Sequence, residues 1–377
     1  MKRNSLIMAV LVFASFLLML GAGIEDNEKC RAYVLMEAET GTVLESENGD
    51  EKLNIGYLSK LMSVLMIAED IETGKFSKDD VLTASDSVTG TMGAVIWLEA
   101  GDTATVGELL EAVIVGNAND AMIVLAERSE QTLQKFTDRM NTEAFDMGLR
   151  DTAFYSPCGF YDSREFSTAH DLAVICSKLA KYDFLRGYFT TWRDCIRDGK
   201  VELVNENKLS RTYDQHQGFK AIHSDKSGYC IAEYGKSVKG VECIAVVLGA
   251  ESEDGMYTFA KKLLKKGYLD YKVTSTMFPT EHIRPLQIRN GETSAAELML
   301  EEQKGLVVPR SGKQIRTVVV LPDYACAPVK RGQRVGTAAF YQGDTLVYES
   351  PIVVQETVEK LSLPYILRKL MYRMTEK

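Results

Sequence analysis

Gly56-Tyr57-Leu58-Ser59-Lys60 opens a long apolar segment, and the residues that follow, as far as Ile71, are apolar on almost every side. A helix with so little polar surface is typical of the interior of a large domain. Residues three apart on a helix lie on the same face, so the side chains of Tyr57 and Lys60 are expected to be neighbours. The sequence therefore predicts a buried helix that carries a phenol and a lysine at its start.

Strand-like and helical segments lie on both sides of this helix. Ala32–Glu37 and Thr42–Glu45 are rich in β-forming residues and flank Glu39-Thr40-Gly41, which predicts a β-hairpin. Apolar patterns predict helices over residues 109–126, 133–147 and 169–180, and strands over residues 227–232 and 242–248. We therefore expect a domain of mixed helices and strands over residues 30–270.

The pattern changes near Tyr271. Short β-forming runs then alternate with Gly/Pro turns, at residues 316–321, 336–341, 346–349 and 352–354. Such spacing is typical of a compact all-β unit. A small β-rich domain is therefore predicted over residues 271–356.

The last segment, residues 357–377, has a helical pattern with two different faces. Apolar residues recur at the spacing of one helical face, at Leu363, Ile366, Leu367, Leu370, Met371 and Met374. The opposite side carries aromatic and basic residues, at Tyr365, Arg368, Lys369 and Tyr372. A basic amphipathic helix of this kind indicates attachment to an anionic membrane surface; packing against its own domain is the alternative.

Residues 1–24 indicate export. Met1-Lys2-Arg3 precedes an uncharged, largely apolar stretch that includes the small residues Gly21-Ala22-Gly23. This arrangement predicts a secretory signal peptide. An uncleaved membrane anchor is the alternative, because the apolar run approaches the length that spans a bilayer. In both cases the body of the protein is expected outside the cytoplasm.

Composition excludes several functional classes. The 377 residues carry a net charge of −9 and include no lysine-rich block, which disfavours a nucleic-acid partner. The four histidines and seven cysteines form no metal-ligand motif, so neither a metal nor another cofactor is expected. Seven is an odd number, so at least one cysteine is unpaired or bonded to another chain.

Several stretches occur together in one order, among them Leu35-Met36-Glu37-Ala38-Glu39-Thr40-Gly41, Tyr155-Ser156-Pro157-Cys158-Gly159-Phe160 and Phe166-Ser167-Thr168-Ala169-His170-Asp171. Through them the chain resembles the low-molecular-weight penicillin-binding proteins, the serine D-Ala-D-Ala carboxypeptidases of bacterial cell walls. The resemblance implies an α+β fold: a transpeptidase-like α/β domain with an antiparallel sheet packed by helices, a small all-β domain and an amphipathic terminal helix. It also implies peptidoglycan stem peptides ending in D-Ala-D-Ala as the ancestral substrate.

The family's first motif is serine-x-x-lysine, in which the serine attacks a peptide carbonyl and the lysine assists in removing its proton. The matching residues here are Tyr57-Leu58-Ser59-Lys60, so Lys60 is retained and a phenol replaces the nucleophile. A phenol places its oxygen farther out, in the space that the substrate must occupy. Ser59 points to a different helix face, and Ser63 lies one turn deeper in the predicted core.

The second motif, serine-x-asparagine, matches Asn117-Ala118-Asn119. Asn119 is retained. Asn117 replaces the serine whose hydroxyl would relay a proton to the leaving amine, which an amide cannot do near neutral pH.

The third motif, lysine-threonine-glycine, matches Lys220-Ala221-Ile222. Ala221 lacks the hydroxyl that in the family helps to hold the terminal carboxylate of the substrate. Ile222 places a branched side chain where glycine lets the ligand approach the strand edge. The backbone of His223 is expected near the oxyanion site.

These matches define the predicted site: Tyr57, Lys60, Asn117 and Asn119 at the catalytic positions, and Lys220, Ala221, Ile222 and His223 at the substrate-binding positions. The first hypothesis is a catalytically impaired homologue at the outer face of the bacterial cytoplasmic membrane, which binds a peptidoglycan stem peptide or a cell-wall protein. The second is an active carboxypeptidase with a non-standard nucleophile. The third is an interaction module in which the β domain and the terminal helix act and the cleft is idle.

Overall fold

The computed structural model describes residues 29–160, 164–275 and 284–375. The chain divides between Tyr268 and Leu269 into two compact units. The predicted signal peptide or anchor at residues 1–24 lies outside the described residues.

The described residues of the first unit form nine strands: β1 (Ala32–Glu37), β2 (Val43–Glu47), β3 (Val81–Thr83), β4 (Thr103–Thr105), β5 (Arg193–Ile196), β6 (Val201–Val204), β7 (His216–Ser224), β8 (Gly228–Lys236) and β9 (Glu242–Ala250). Five of them form an antiparallel sheet in the order β2-β1-β9-β8-β7. The predicted hairpin is confirmed as β1 and β2. Strand β7 is therefore an edge strand, which pairs with β8 on one side only.

Eight α-helices lie in the part of this unit that the structure describes: α1 (Lys60–Glu72), α2 (Val106–Ile114), α3 (Asn119–Glu130), α4 (Leu133–Asp146), α5 (Ala169–Leu179), α6 (Asp183–Thr190), α7 (Leu209–Thr212) and α8 (Glu253–Asp270). Alternate residues of the central strands face opposite sides of the sheet. Val34, Met36 and Val246 pack in the cluster that contains helix α1, whereas Leu35 and Val247 pack in the cluster that contains helix α8. The sheet is thus covered on both faces.

The single helix predicted over residues 109–126 is wrong. The structure has two helices, α2 and α3, separated by residues 115–118. Asn117 has a left-handed φ of 56°, which ends the helical path. The apolar pattern runs through the break because the residues on both sides are buried, so periodicity alone could not reveal it. Helices α6 and α8 were not predicted either.

In the second unit, residues 269–275 and 284–375 are described and include nine strands: β10 (Tyr271–Ser275), β11 (Leu286–Arg289), β12 (Ala295–Ala296), β13 (Leu298–Leu300), β14 (Gly305–Pro309), β15 (Ile315–Val320), β16 (Tyr324–Cys326), β17 (Arg334–Gln342) and β18 (Thr345–Val354). They form sheets in the orders β13-β18-β17-β15, β12-β11-β16 and β10-β14 around a small core of their own. The two runs predicted at residues 346–349 and 352–354 are one strand, β18. Pro351 interrupts the sequence pattern but not the strand, because β13 pairs only with residues 352–354.

The predicted terminal helix is present as α9 (Leu363–Thr375). Its apolar residues are largely solvent-exposed, including Leu363, Leu367, Leu370 and Met374. Within the part of the chain that the structure describes, none of the helices is long and apolar enough to cross a membrane.

Candidate active site

Lys60 is the first residue of helix α1 and is fully buried. A short 3₁₀ turn, Gly56–Ser59, leads into this helix. The ammonium nitrogen of Lys60 donates to the backbone oxygen of Asn117 at 2.9 Å and to its side-chain oxygen at 2.8 Å. Burial lowers the pKa of Lys60 from 10.5 to about 7, and repulsion from Lys220 acts in the same direction.

The ring of Tyr57 covers this buried ammonium. The Lys60 nitrogen lies 4.5 Å from the centre of the ring, a distance at which an aromatic face attracts a cation. The ring is half-buried and lines the cleft, whereas Lys60 has no exposed surface. A Cβ atom built on Gly93, which lies between strands β3 and β4, would be 3.3 Å from the Tyr57 hydroxyl. The phenol therefore extends as far as this glycine.

The two serines near Lys60 have other surroundings. The hydroxyl of Ser59 is buried and has no hydrogen-bond partner among the residues that the structure describes. The hydroxyl of Ser63 is buried and donates to the carbonyl oxygen of Pro157 at 2.8 Å. Both hydroxyls are therefore directed into the packed interior and make no hydrogen bond to the lysine.

The second motif lies at the break between helices α2 and α3. The left-handed conformation of Asn117 turns its side chain so that its oxygen accepts from Lys60 while its nitrogen donates to Glu206 at 3.3 Å. The amide nitrogen of Asn119 donates to the carbonyl oxygen of Met92 at 2.7 Å. The amide oxygen of Asn119 is buried without a hydrogen-bond partner among the described residues. Asn117 thus bridges a buried cation and a carboxylate.

The third motif lies on edge strand β7. The Lys220 nitrogen is buried and donates to the carbonyl oxygens of Val113 and Ile114, each at 3.1 Å, at the end of helix α2. Burial lowers the pKa of Lys220 from 10.5 to about 8, although Glu206 opposes the shift. The carbonyls at the end of a helix are good acceptors for a cation, which explains this position for the amine.

The two residues after Lys220 are buried, and the third is exposed. Ile222 extends toward the 3₁₀ turn, and its Cδ1 atom would lie 3.4 Å from a Cβ built on Gly56. His223 is exposed and stacks on Tyr229, with ring centres 4.1 Å apart.

A cleft of about 270 Å³ lies along this strand edge. Its lining residues come from five segments of the first unit and comprise Tyr57, Glu206, Ala221, Ile222, His223, Tyr229, Glu253, Met256 and Tyr257. Four of the eight predicted site residues line it. The other four are buried and do not line it: Lys60 lies against the ring of Tyr57 and donates to Asn117, Asn119 donates to Met92, and Lys220 extends to helix α2.

Two protein-family models match this chain. A family model described as D-alanyl-D-alanine carboxypeptidase matches residues 23–252, more than half of the chain. The chain belongs to this family. A second family model, the penicillin-binding protein 5 C-terminal domain, matches residues 274–360.

Relatives in this family are similar over most of their length. The D-alanyl-D-alanine carboxypeptidase DacF of Bacillus subtilis is 27% identical over 353 residues, covering 92% of this chain and 90% of the relative. DacC of Escherichia coli is 27% identical over 340 residues, covering 88% and 84%. The sequence-based assignment to this family is confirmed.

Solved structures share the fold. Penicillin-binding protein 5 from Haemophilus influenzae superposes with a TM-score of 0.80 at 23% identity, covering 88% of this chain and 98% of that one. Penicillin-binding protein D2 from Listeria monocytogenes, in its cefotaxime-bound form, gives a TM-score of 0.57 at 26% identity and covers 63% and 97%. The predicted α+β fold with its C-terminal β domain is confirmed.

Sequence reasoning missed Glu206, Tyr229, Glu253 and Tyr257. Glu206 lies in a loop with no periodic pattern, and Glu253 and Tyr257 lie in the first turns of helix α8, which was not predicted. The phenol of Tyr257 donates to the carbonyl oxygen of Glu206 at 3.0 Å and accepts from the backbone of Lys208 at 3.1 Å. This bond joins the loop to helix α8, and only the folded chain brings the two together.

The donor set gives no support for a metal. Among the residues that the structure describes, no three histidine, cysteine or acidic side chains are grouped closely enough to hold an ion. The seven cysteines are all unpaired with one another, and Cys195 and Cys326 are exposed.

Proposed function

We propose that this protein acts in peptidoglycan metabolism outside the cytoplasm as a non-acylating homologue of the D-Ala-D-Ala carboxypeptidases, which binds a wall stem peptide or a cell-wall protein. The observation that carries the proposal is the position of Tyr57. Its ring lies over Lys60 at 4.5 Å, where an acylating enzyme needs a small hydroxyl beside that amine.

The neighbouring groups support the same conclusion. Ser59 and Ser63 are buried and make no hydrogen bond to Lys60, so neither is placed to be activated by it. The amine of Lys60 is already engaged by both oxygens of Asn117. A nucleophile must be within hydrogen-bond reach of its base and of the substrate carbonyl, and the described residues supply no such hydroxyl.

The edge of strand β7 is also altered. An acyl enzyme stabilises the developing oxyanion with backbone N–H groups that the substrate can approach closely. Ile222 fills the space against Gly56 at the place where the family has glycine. This supports a cleft that holds a peptide farther from the strand edge than acyl transfer requires, and whose function is binding.

The relatives and both ends of the sequence support a role in the cell wall, outside the cytoplasm. DacF and DacC are D-alanyl-D-alanine carboxypeptidases by name, and they cover nearly the whole of this chain. Residues 1–24 have the pattern of an export signal or anchor. The exposed apolar face of helix α9, with basic residues on its other side, supports attachment to the outer face of the cytoplasmic membrane.

Release of D-Ala from a pentapeptide tests the proposal. The purified protein is expected to release none above a no-enzyme blank, under conditions in which DacF releases it readily. The alternative, an active carboxypeptidase with a non-standard nucleophile, predicts release that Lys60→Ala abolishes. Release by the wild type that Lys60→Ala abolishes would contradict the proposal.

A further inference from the structure

We infer that Trp97 is the stacking platform of a second binding site, a groove beside the cleft that takes an uncharged glycan strand of linked pyranose rings. This inference goes beyond the proposed function, because it assigns a site outside the cleft that a glycan without peptide can occupy. The Trp97 groove consists of two hollows, of about 540 Å³ and about 360 Å³, which share Val95 and Trp97 among their lining residues.

The indole of Trp97 is 71% exposed, although it is one of the side chains with most apolar surface to bury. Met92 and Val204 are exposed as well, and Val204 lines the smaller hollow. Scattered exposed apolar residues are ordinary, but a group of them around a hollow marks an interaction surface. Tryptophan is also enriched among the residues that dominate binding energy. The exposed indole therefore points to a ligand.

The backbone of Trp97 is held in an unfavourable conformation. Trp97 has a left-handed φ of 55°, which is rare for a bulky residue. Asp120, in the first turn of helix α3, accepts from the backbone nitrogens of Ile96 and Leu98, each at 3.0 Å. Arg197, in the turn between β5 and β6, donates to the carbonyl oxygen of Trp97 at 3.1 Å. Strained backbone of this kind persists where surrounding contacts fix it, and it is concentrated at ligand sites. Asp120 and Arg197 thus fix a conformation that lowers stability and presents the indole to a ligand.

The polar groups of the groove suit hydroxyl groups rather than an anionic ligand. The larger hollow is lined by Thr89, Thr91 and the exposed Glu99. The smaller hollow is lined by Glu202, which already pairs with Arg193. Among the described residues that line the two hollows, none is a lysine or an arginine. The groove therefore offers a carboxylate and hydroxyls, and its lining supplies no cation for an anion.

A pyranose ring matches this combination of surfaces. One of its faces is made of C–H groups, which carry a partial positive charge and stack on the electron-rich face of an indole. Its rim carries hydroxyl groups, which donate to a carboxylate and exchange hydrogen bonds with threonine hydroxyls. Each hollow lies within the range of about 300–1,000 Å³ that is usual for sites of small ligands. Each hollow is therefore large enough for a sugar unit, and Trp97 lines both.

The groove is next to the cleft. The smaller hollow includes Gly93, where an added Cβ would lie 3.3 Å from the hydroxyl of Tyr57. Tyr57 in turn lines the cleft. In the wall polymer, stem peptides are attached to a glycan of linked N-acetylated pyranoses, so a peptide in the cleft brings its glycan close to Trp97. This continuity selects a glycan strand as the occupant, rather than a second copy of this chain.

Titration of the full-length exported chain with tetra-N-acetylchitotetraose tests the inference. This probe is an uncharged chain of N-acetylated pyranoses and carries no peptide. Trp97 and Trp192 are the two tryptophans of the chain, so indole fluorescence reports on the groove. We expect a saturable change in emission. A sulfated tetrasaccharide of the heparin type should bind more weakly, because no basic side chain is among the described lining residues. No binding of the uncharged probe, or tighter binding of the sulfated one, would overturn the inference.

A pair of tryptophan variants localises the effect. Trp97→Ala should weaken binding of the uncharged probe at least about 10-fold, measured by ligand-observed NMR, because it removes the stacking face. Trp192→Ala is the matched control: Trp192 is 43% exposed but lines neither hollow, so affinity should be unchanged. Unchanged affinity in Trp97→Ala, or equal losses in the two variants, would contradict the assignment.

Trp97→Gly separates binding from a structural role. Glycine adopts a left-handed φ without strain, and little packing is lost with an indole that is largely exposed. This variant should therefore lose binding while its melting temperature equals or exceeds that of the wild type. A lower melting temperature would show that the indole serves the fold, and a wild-type dimer that Trp97→Gly dissociates in sedimentation would show that a second copy covers it; either result would overturn the inference. Because the probe has no D-Ala, this result and the D-Ala release assay can each fail alone.

Discussion

The ammonium nitrogen of Lys60 lies 4.5 Å from the centre of the Tyr57 ring and donates to both oxygens of Asn117. One substitution thus fills the position of the nucleophile, and another supplies the partner of the former base. The two changes support each other, because the ring and the amide together surround an amine that burial alone would leave poorly solvated. The three side chains therefore form a connected set of contacts.

Replacement of Tyr57 alone is expected to restore little chemistry. Tyr57→Ser supplies a hydroxyl, but Asn117 still occupies the amine of Lys60 and Ile222 still fills the strand edge. A substrate carbonyl that is kept away from one oxyanion donor loses about as much rate as when that donor is removed, about 100- to 1,000-fold. The acylation rate with a penicillin, measured by quenched-flow mass spectrometry, should remain below about 1% of that of DacF.

The control for that prediction is the variant that also carries Asn117→Ser, Ala221→Thr and Ile222→Gly. It should react faster than Tyr57→Ser, provided that its thermal unfolding shows an intact fold. Rapid acylation of the single variant would mean that the other three positions do not limit the chemistry.

The buried amine of Lys60 should give stability a distinct pH dependence. Its pKa is about 7 in the folded protein, against 10.5 for an unburied lysine, so between these values the unfolded chain binds more protons. Unfolding free energy therefore rises with pH across this window, by up to about 1.4 kcal/mol per pH unit. Below pH 7 the amine is charged in both states, and this dependence is absent. In Lys60→Met the contribution of Lys60 should be missing, so urea unfolding should show a flat curve from pH 7 to about 8 and, from there to pH 9.5, only the rise that Lys220 contributes.

Parallel stability curves for the wild type and Lys60→Met would show that the amine stays charged in the fold. Lys220→Met offers a comparison. Because the pKa of Lys220 is lowered to about 8, Lys220→Met should reduce the rise of unfolding free energy with pH only above about pH 8. This is about one pH unit higher than the effect of Lys60→Met.

Much of the fold followed from local pattern. The hairpin, strands β8 and β9 and the terminal helix are confirmed and have short β-forming runs or a clear apolar period; helix α1 is confirmed as a long segment that is apolar on almost every side. The break at Asn117 could not be predicted, since buried apolar residues continue on both sides of it and only the φ of 56° ends the helix. Helix α8 was missed, and with it the residues that complete the cleft.

Some residues of the candidate site could be predicted from the sequence, and others could not. The positions of Tyr57, Lys60, Asn117 and Lys220 were identified by their match to the motifs of the family that the sequence resembles, and the structure brings them together. Glu206 could not be identified in this way. Its backbone carbonyl oxygen accepts from the phenol of Tyr257, which is 51 residues away in sequence. Long-range contacts of this kind carry no local signal.

Close packing around the 3₁₀ turn can be tested with a pair of glycines. Gly159 has a φ of 71°, and a Cβ there would lie 2.7 Å from the carbonyl oxygen of Gly56 and 2.9 Å from the Cα of Tyr57. Gly148 has a φ of 82° but nothing within 4 Å. Gly159→Ala should lower the unfolding free energy by about 2–4 kcal/mol, and Gly148→Ala by about 1–2 kcal/mol, because only the first adds a clash to the backbone strain. Equal losses by chemical denaturation would exclude the tight contact at Gly159.

Membrane attachment through helix α9 predicts sensitivity to charge on its apolar face. Leu367 and Leu370 are 53% and 54% exposed, and Leu346 in the β domain is 47% exposed. Leu367→Glu or Leu370→Glu should lower binding to anionic vesicles by at least about 10-fold, since each leucine contributes about 1.5–3 kcal/mol when buried in the interface. Leu346→Glu is the control and should bind as the wild type does. Equal binding by all variants in cosedimentation would argue against this attachment.

Intact-protein mass measurement after incubation with a penicillin tests the central claim most directly. The phenol over Lys60 predicts that the mass stays that of the free protein, while DacF treated in parallel gains one penicilloyl group. A stoichiometric adduct on this chain, mapped to Ser59, Ser63 or Tyr57, would contradict the account.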